Sequence, residues 1–401
     1  MLELHTRFEN EVVLKKLYTL FGAFLFGVLC LTFFPRWALA SADTINTSAR
    51  QAIVIDYDTG TVLYSKNADE RMPTSSMSKV MTMYVVFGAL QRQELNLDST
   101  LLVSEKAWKK GGSKMFVPVG EKVKVEDLIR GVIVQSGNDA TIVLAEGIAG
   151  TEKAFAQIMN QEAKAIGMEN SNFVNASGWP DPDHFSTARD LATMARAIIR
   201  NFPDYYHYYS QKDFTYNDIH QRNRNPLLRL NIGVDGLKTG HTAAGGYGLI
   251  ASGKAKDGRR VIMVINGIDS TAQRKEEGAR LMRWAMNAFK SETLFEDNPV
   301  LGQANVYFGQ EGAVDLVAQK PVKYVVKKAK ARDVKVDILY KEPLKAPLKK
   351  GQDVGRITVH VPGTEKIEIP LVTAHSVQEA GIFVRAISKA RLLSTGAGKL
   401  K

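Results

Sequence analysis

The chain has 401 residues, of which 45% are hydrophobic, so it is long enough for more than one domain with a full apolar core. Its formal net charge is +11, and residues 321–401 contribute +10 of this through 17 Lys and Arg against 7 Asp and Glu. Because the first 320 residues are nearly neutral, the composition argues against a nucleic-acid-binding body there. The single cysteine, Cys30, excludes a disulfide within the chain.

The first 40 residues have the features of a secretory signal peptide. Lys15 and Lys16 precede an apolar run over residues 17–34, and Ala38-Leu39-Ala40 follows it. A cationic start, an apolar stretch and small residues at positions −3 and −1 predict cleavage after Ala40. The alternative is an uncleaved transmembrane anchor, since the apolar run is nearly long enough to span a bilayer. Cys30 lies inside this segment, so the mature protein would contain no cysteine.

Residues 43–296 are predicted to form one α/β domain whose sheet is closed by distant segments. Residues 51–66 alternate in polarity and break at Asp58-Thr59-Gly60, which predicts a β-hairpin. Helices are expected over residues 73–91, 125–134, 140–147, 151–166 and 187–201, the last opening with the capping pair Thr187 and Asp190. A strand over 234–238 running into a turn, a hairpin of 247–254 with 260–265, and a helix over 271–290 complete the domain.

The rest of the chain has a different pattern. Short alternating runs at 322–326, 334–339, 356–361 and 366–371 predict a small all-β domain over residues 297–375. Residues 376–401 are predicted to contain a helix over 376–393 and a basic tail. Its apolar face consists of Val377, Ala380, Phe383, Val384, Ile387, Ala390 and Leu393. This helix either packs on the β domain or lies on an anionic membrane surface, and Lys399 and Lys401 favour the membrane.

Three short strings carry the chemistry: Ser76-Met77-Ser78-Lys79, Ser136-Gly137-Asn138 and Lys238-Thr239-Gly240. They read SxxK, SxN and KTG. An SxxK or an SxN alone is weak evidence, because a chain of this length contains each about once by chance. Ser65-Lys66-Asn67, for example, also spells SxN. The KTG occurs once, and the ordered triplet predicts an enzyme that forms an acyl-serine.

The first string supplies a nucleophile and a base. A serine hydroxyl is a poor nucleophile until a base removes its proton. Ser76 near a helix start gains exposed backbone N–H groups for a developing oxyanion, and Lys79, three residues on, shares its face. A lysine in a desolvated pocket beside a second cation, expected here to be Lys238, loses basicity and can act as a neutral amine.

The other two strings supply proton transfer and substrate binding. Ser136 can relay a proton between Lys79 and the leaving amine, and Asn138 can hold the substrate's amide. At a strand edge, Lys238 and Thr239 can bind a carboxylate while the backbone pairs with an extended peptide. Gly240 removes a side chain that would block this approach. No metal-ligand spacing, nucleotide-binding loop or cofactor motif is apparent, so neither metal nor cofactor is expected.

Residues 73–82 (PTSSMSKVMT) and 235–246 (DGLKTGHTAAGG) resemble the D-alanyl-D-alanine carboxypeptidase family of low-molecular-mass penicillin-binding proteins. The likeness covers nearly the whole chain, including Asn223-Arg224-Asn225, the TARD string at 187–190, the added β domain and the terminal helix. The sequence departs from some members in the loop before TARD, where Ser177 stands in place of a histidine.

The resemblance implies an α/β (α+β) fold of the transpeptidase/β-lactamase type, with an antiparallel sheet and helices on both faces. It implies removal of the terminal D-alanine from peptidoglycan pentapeptides through an acyl-enzyme on Ser76, a serine that β-lactams also acylate. It further implies an exported, periplasmic protein attached peripherally to the outer face of the cytoplasmic membrane. The implied site consists of catalytic Ser76, Lys79 and Ser136, and of substrate-binding Asn138, Lys238, Thr239, Gly240, His241, Arg224 and Arg274. The N–H groups of Ser76 and His241 would form the oxyanion hole.

Three other functions share the motifs. A β-lactamase needs a glutamate-bearing loop after the SxN, and no ExxLN-like string lies between Asn138 and Lys238. A penicillin-binding sensor that stays acylated would not need both Lys79 and Ser136. A DD-endopeptidase, which cuts cross-links by the same chemistry, remains open on the sequence alone.

Overall fold

The computed structural model describes residues 4–6 and 45–387. The predicted cleavage site, Cys30 and the end of the predicted terminal helix lie outside the described residues. The strands, in chain order, are β1 Leu4–Thr6, β2 Gln51–Asp56, β3 Val62–Lys66, β4 Thr100–Leu102, β5 Lys122–Lys124, β6 Asp213–Tyr216, β7 Ile219–Arg222, β8 Val234–Thr242, β9 Gly246–Lys254, β10 Arg260–Ile268, β11 Phe289–Leu294, β12 Gly302–Tyr307, β13 Ala313–Ala318, β14 Val322–Lys327, β15 Lys335–Tyr340, β16 Leu344–Lys345, β17 Asp353–His360 and β18 Ile367–Thr373.

The helices are α1 Lys79–Gln91, α2 Glu105–Lys109, α3 Val125–Arg130, α4 Asn138–Ala149, α5 Glu152–Ala165, α6 Ala188–Asn201, α7 Pro203–Tyr206 and α8 Thr271–Ala288. Short 3₁₀ turns occupy Ser75–Ser78, His207–Ser210, Pro226–Arg229 and Lys328–Asp333, and a π-helical turn occupies Gly131–Gln135. The predicted cap of α6 is present, since the Thr187 hydroxyl accepts the N–H of Asp190 at 3.0 Å.

A five-stranded antiparallel sheet in the order β3-β2-β10-β9-β8 organises the larger part of the described chain. Successive strand residues point to opposite faces, so Ile53 and Ile262 pack into a core with α1, α4 and α6, whereas Val54 and Val261 pack against α8. The predicted fold class, an antiparallel sheet with helices on both faces, is therefore confirmed.

Two local expectations near the motifs need correction. The α-helix expected from residue 73 begins only at Lys79, because Ser75 has a φ of 51°, a left-handed conformation that an α-helix does not accept. The Ser75–Ser78 segment forms a 3₁₀ turn instead. The KTG string is not a turn after β8, because β8 continues through it and Thr242 still pairs with Gly246 of β9.

A second, mainly β, unit follows α8. Its sheet has the order β1-β15-β17-β18-β13-β12-β16, and β11 pairs separately with β14. The alternating patterns predicted β14, β15, β17 and β18, but they missed β11, β12, β13 and β16. Because β11 starts at Phe289, β structure begins directly after α8 and before residue 297. A core separate from that of the first unit includes Leu316, Tyr324 and Ile357.

The helix expected over residues 376–393 starts later than predicted. Val377 makes a β-bridge with Leu348, and Glu379 makes one with Gly309, so this segment is extended. Val377 is fully buried in the core of the β unit, because tertiary pairing there outweighs the helical spacing of the apolar residues. Helix is present over 382–387, where Ile382 and Phe383 are 79% and 87% exposed. In the described part of the chain, no helix is both long and apolar enough to cross a bilayer.

Candidate active site

The SxxK string places its serine and lysine in direct contact. Ser76 lies in the 3₁₀ turn, and Lys79 is the first residue of α1. The Nζ of Lys79 lies 2.9 Å from the Oγ of Ser76. This distance allows direct proton transfer between the two side chains.

Lys79 is fully buried and is held from three sides. Besides Ser76, its Nζ contacts the Oδ1 of Asn138 at 2.7 Å and the backbone carbonyl of Ser177 at 2.6 Å. A neutral amine has two N–H donors and one lone pair. Since Asn138 and Ser177 each offer an acceptor, they take the two N–H groups and leave the lone pair for the hydroxyl proton of Ser76.

The electrostatics favour this neutral amine. Burial, together with the positive charges of Arg224 and Lys110 and against the opposing charge of Asp139, lowers the pKa of Lys79 to about 7. Lys238, the second cation expected from the sequence, is coupled to Lys79: burial, reinforced by the charges of Lys79 and two arginines, lowers the pKa of Lys238 well below its usual value.

Ser136 and Asn138 enter the site from the junction of two helical segments. The π-helical turn ends at Gln135, and Ser136 follows it in a left-handed conformation with φ 69°. Such strained residues cluster at functional sites. The Oγ of buried Ser136 accepts a hydrogen bond from the Nζ of Lys238 at 2.9 Å. Asn138 opens α4, and its Nδ2 donates to the carbonyl of Gly111 at 2.9 Å.

The KTG residues lie on β8, which is the edge strand of the sheet and packs against the 3₁₀ turn. A Cβ added to Gly240 would lie 2.9 Å from the carbonyl oxygen of Thr74 and 3.1 Å from the Cβ of Ser75. Gly240 is thus needed for the close approach of β8 to the turn. The ring of His241 stacks on Tyr247, with 4.0 Å between the ring centroids.

The two arginines occupy different positions around β8. Arg274 is buried on α8, where its Nη1 donates to the carbonyl of Gly240 at 3.5 Å and its guanidinium lies 5.5 Å from the Tyr247 ring centroid. Burial lowers its pKa to about 10. Arg224 is exposed between the buried Asn223 and Asn225. The Nδ2 of Asn225 donates to the carbonyl of Gly236 at 2.9 Å, which fixes this segment beside β8.

The site therefore has an excess of positive charge. The cations that surround it are Lys79, Lys110, Lys238, Arg224 and Arg274. The acidic group among the charges that act on Lys79 is Asp139. A site of this kind favours an anionic ligand group such as a carboxylate.

Two groups that the sequence did not single out complete the site. The carboxylate of buried Asp139 accepts backbone N–H groups of residues 115–117 at 2.8 to 3.3 Å and so holds the loop beside Asn138. The sequence feature that could have identified Asp139 is its position as an acidic residue directly after the SxN string. The side chain of Asn175 accepts the N–H groups of Gly178 and Trp179 at 2.8 and 3.0 Å, and this turn presents the Ser177 carbonyl to Lys79. Nothing in a one-dimensional sequence marks a backbone carbonyl as a site group.

Two adjacent pockets with shared lining residues lie at this site. One of about 280 Å³ is lined by residues that include Ser76, Asn138 and His241, and another of about 440 Å³ lies beside it, between 179–182 and 242–244. A larger groove of about 820 Å³ lies in the β unit and contains no predicted site residue. Among the described residues, no group of three or more His, Cys, Asp or Glu could hold a metal ion.

Comparison with known proteins identifies families and relatives that match most of this chain. The sequence model of the family described as "D-alanyl-D-alanine carboxypeptidase" matches residues 38–270, and that of "Penicillin-binding protein 5, C-terminal domain" matches residues 289–379. D-alanyl-D-alanine carboxypeptidase DacC from Escherichia coli (strain K12) is 38% identical over 90% of this chain and 92% of its own length. DacA from Haemophilus influenzae is 38% identical over 84% of this chain and 87% of its own.

Solved structures agree with the sequence relatives. Penicillin binding protein 5 from Haemophilus influenzae superposes with a TM-score of 0.74 at 36% identity, covering 84% of this chain and 99% of that one. Penicillin-Binding Protein D2 from Listeria monocytogenes, in its ampicillin-bound form, has a TM-score of 0.55 at 30% identity and covers 60% of this chain and 97% of its own.

Proposed function

The chain belongs to the D-alanyl-D-alanine carboxypeptidase family and is a serine-type carboxypeptidase, and we propose that Ser76 is its nucleophile and Lys79 its base. The observation that carries this assignment is the environment of the Lys79 amine. The Nζ lies 2.9 Å from the Oγ of Ser76 and contacts the Asn138 and Ser177 acceptors, so that in the neutral amine, favoured by a pKa of about 7, these acceptors take the N–H groups and the lone pair faces Ser76.

Acylation follows from this arrangement. Lys79 takes the hydroxyl proton of Ser76 while the Oγ bonds to the carbonyl carbon of the penultimate D-alanine. The N–H groups of Ser76 and His241 stabilise the oxyanion. The proton then passes from Lys79 by way of Ser136 to the nitrogen of the terminal D-alanine, the peptide bond breaks, and D-alanine leaves.

Deacylation repeats the chemistry with water. Neutral Lys79 takes a proton from water, which attacks the ester carbon, and the proton returns to the Oγ of Ser76 as the shortened peptide leaves. With a penicillin, the opened ring keeps the leaving nitrogen attached to the acyl group. The adduct on Ser76 is therefore expected to persist, which accounts for inhibition.

The positive charge of the site fits the free carboxylate of the substrate. Lys238 and Thr239 bind this carboxylate on β8, with Arg224 nearby, and a bound anion offsets the repulsion between the buried cations. Since the scissile carbonyl lies at Ser76 and His241, the upstream peptide continues along the edge of β8. It reaches residues 242–244 and the pocket of about 440 Å³ beside them.

The test of this function is product analysis with two substrates. A pentapeptide ending in D-Ala-D-Ala should lose one alanine residue, and the Ser76→Ala variant should release none above background. A cross-linked dimer of the same peptides should stay intact. Cleavage of the dimer in preference to the pentapeptide would show an endopeptidase instead, and undiminished alanine release by Ser76→Ala would remove Ser76 from its role.

We also propose that the protein is exported and attached peripherally to a membrane by its C-terminal segment. The support is the row of exposed apolar side chains Ile382, Phe383, Val384 and Ile387, next to a basic tail. Truncation after Gly381 keeps the buried Val377 and Ala380 and should release the protein from membranes with unchanged activity on soluble peptide. If this truncated protein still sediments with membranes, the C-terminal segment is not the anchor.

A further inference from the structure

A buried histidine outside the predicted site is hydrogen-bonded to the catalytic turn. His184 is only 4% exposed and precedes α6. Its Nε2 lies 2.8 Å from the Oγ of Ser78, and its Nδ1 lies 3.3 Å from the backbone nitrogen of Val174. The hydroxyls of Ser78 and Thr74 are 2.5 Å apart. These contacts form a chain from the segment 174–184 to the turn that contains Ser76.

The directions of the two hydrogen bonds made by the His184 ring follow from the Val174 donor. The N–H of Val174 can only donate, so Nδ1 of His184 is the acceptor and the ring proton is on Nε2. Nε2–H then donates to Ser78, whose hydroxyl shares a further hydrogen bond with that of Thr74. Burial lowers the pKa of His184 to about 4, so the ring is neutral at neutral pH, as this pattern requires. Because the chain ends on Thr74 rather than on Ser76, its role is to position groups and not to transfer protons.

The segment and the turn that His184 joins both contribute to the lysine site. Ser78 is adjacent to Lys79, and the segment 174–184 contains Ser177, whose carbonyl contacts the Lys79 amine at 2.6 Å. The segment 174–184 packs tightly against the turn, since a Cβ on Gly178 would lie 1.8 Å from the carbonyl oxygen of Ser75. A small displacement of the segment would therefore move the Ser177 carbonyl relative to Lys79.

We propose that His184 is a positioning residue that, through Ser78, holds the Ser177 carbonyl on Lys79 and so directs the amine lone pair at Ser76. This inference rests on the proposed roles of Ser76 and Lys79. The segment is also held to α1 by the Thr82 hydroxyl, which donates to the Ala176 carbonyl, so loss of the His184–Ser78 bond loosens the segment at the turn and lets water approach Lys79 rather than releasing the segment altogether. The charges that then act on Lys79 remain those of Arg224, Lys110 and Asp139, so reduced desolvation raises its pKa.

Two substitutions at position 184 separate the two hydrogen bonds of the ring. The amide nitrogen of glutamine reaches the place of Nε2, so His184→Gln keeps the contact to Ser78. The amide of asparagine reaches only the place of Nδ1, so His184→Asn loses that contact and keeps a group near Val174. Ser78→Ala removes the same bond from the other partner. His207→Gln, a change at an exposed histidine, is the matched control.

The experiment measures the acylation rate constant and the dissociation constant of a fluorescent penicillin separately, from pH 5.5 to 9.5. His184→Asn and Ser78→Ala should acylate about tenfold more slowly with unchanged dissociation constants, as expected for losing a buried hydrogen bond. In both, the rise of the rate with pH should shift to higher pH, whereas His184→Gln and His207→Gln should stay within about threefold of native. A global loss of stability would not shift the pH profile.

Native acylation rates in His184→Asn and Ser78→Ala would overturn the inference. Equal losses in His184→Gln and His184→Asn would also overturn it, since the Ser78 contact would then be irrelevant. If His184→Asn does not fold, Ser78→Ala decides the question alone. Failure of the native protein to acylate at Ser76 would instead overturn the proposed function.

Discussion

Acylation by penicillin should depend on pH through a single deprotonation, that of Lys79. With a pKa of about 7, roughly a tenth of Lys79 is neutral at pH 6, about half at pH 7 and about nine-tenths at pH 8. At limiting penicillin concentration the rate reports the free enzyme, so it should rise about tenfold between pH 6 and pH 8 and then level off. This rise occurs more than three pH units below the usual pKa of lysine, 10.5.

Lys79→Arg tests the same reasoning, because a guanidinium does not lose its proton at these pH values. The variant should acylate about 10²- to 10⁴-fold more slowly at every pH, which is the usual contribution of a general base. Lys79→Met should be equally slow and, having no buried charge, serves as a folded comparison. Rapid mixing with a fluorescent penicillin measures all three proteins. A flat profile between pH 6 and 8, or Lys79→Arg within tenfold of native, would refute the role of the neutral amine.

Three further results are expected. Because the pKa of Lys79 is lowered in the folded state, the unfolded chain binds more protons between pH 7 and 10.5, so stability rises with pH in this range. From pH 7 to pH 9, the free energy of unfolding of the native protein should increase by about 2 kcal/mol relative to that of Lys79→Met. Urea melts measure this difference, and a difference that stays constant with pH would contradict the prediction. Lys238→Met should raise KM at least about tenfold for a peptide with a free C-terminal carboxylate but not for its C-terminal amide, and equal effects on both would exclude carboxylate binding. Gly240→Ala should slow acylation about tenfold or more by pushing β8 from the turn at Thr74 and Ser75, whereas a change below twofold would show that the turn can yield.

The parts of the fold that the sequence predicted well depend on local patterns. The β2–β3 and β9–β10 hairpins follow from alternation and turn residues, and α5 and α6 follow from helical periodicity with threonine caps. The contact between Ser76 and Lys79 follows from a spacing of three residues at the start of a helix. These features depend on neighbours in sequence, which is why they could be predicted.

The features that were missed depend on residues far apart in sequence. The Ser177 carbonyl reaches Lys79 across 98 positions, and a backbone group has no sequence signature. Arg224 lies far from Lys79 in sequence, yet its charge lowers the pKa of Lys79. Val377 has the spacing of an amphipathic helix, but its pairing with Leu348 places it in the β core. Short strands such as β16 are formed by pairing partners and carry little pattern of their own.

The most direct test of the acyl-serine assignment is mass spectrometry of the intact protein after brief exposure to penicillin, followed by peptide mapping. One equivalent of the drug should be found, in the peptide that contains Ser76, and Ser76→Ala should carry none. An adduct on any other residue, or continued labelling of Ser76→Ala, would contradict the assignment of the nucleophile and the mechanism built on it.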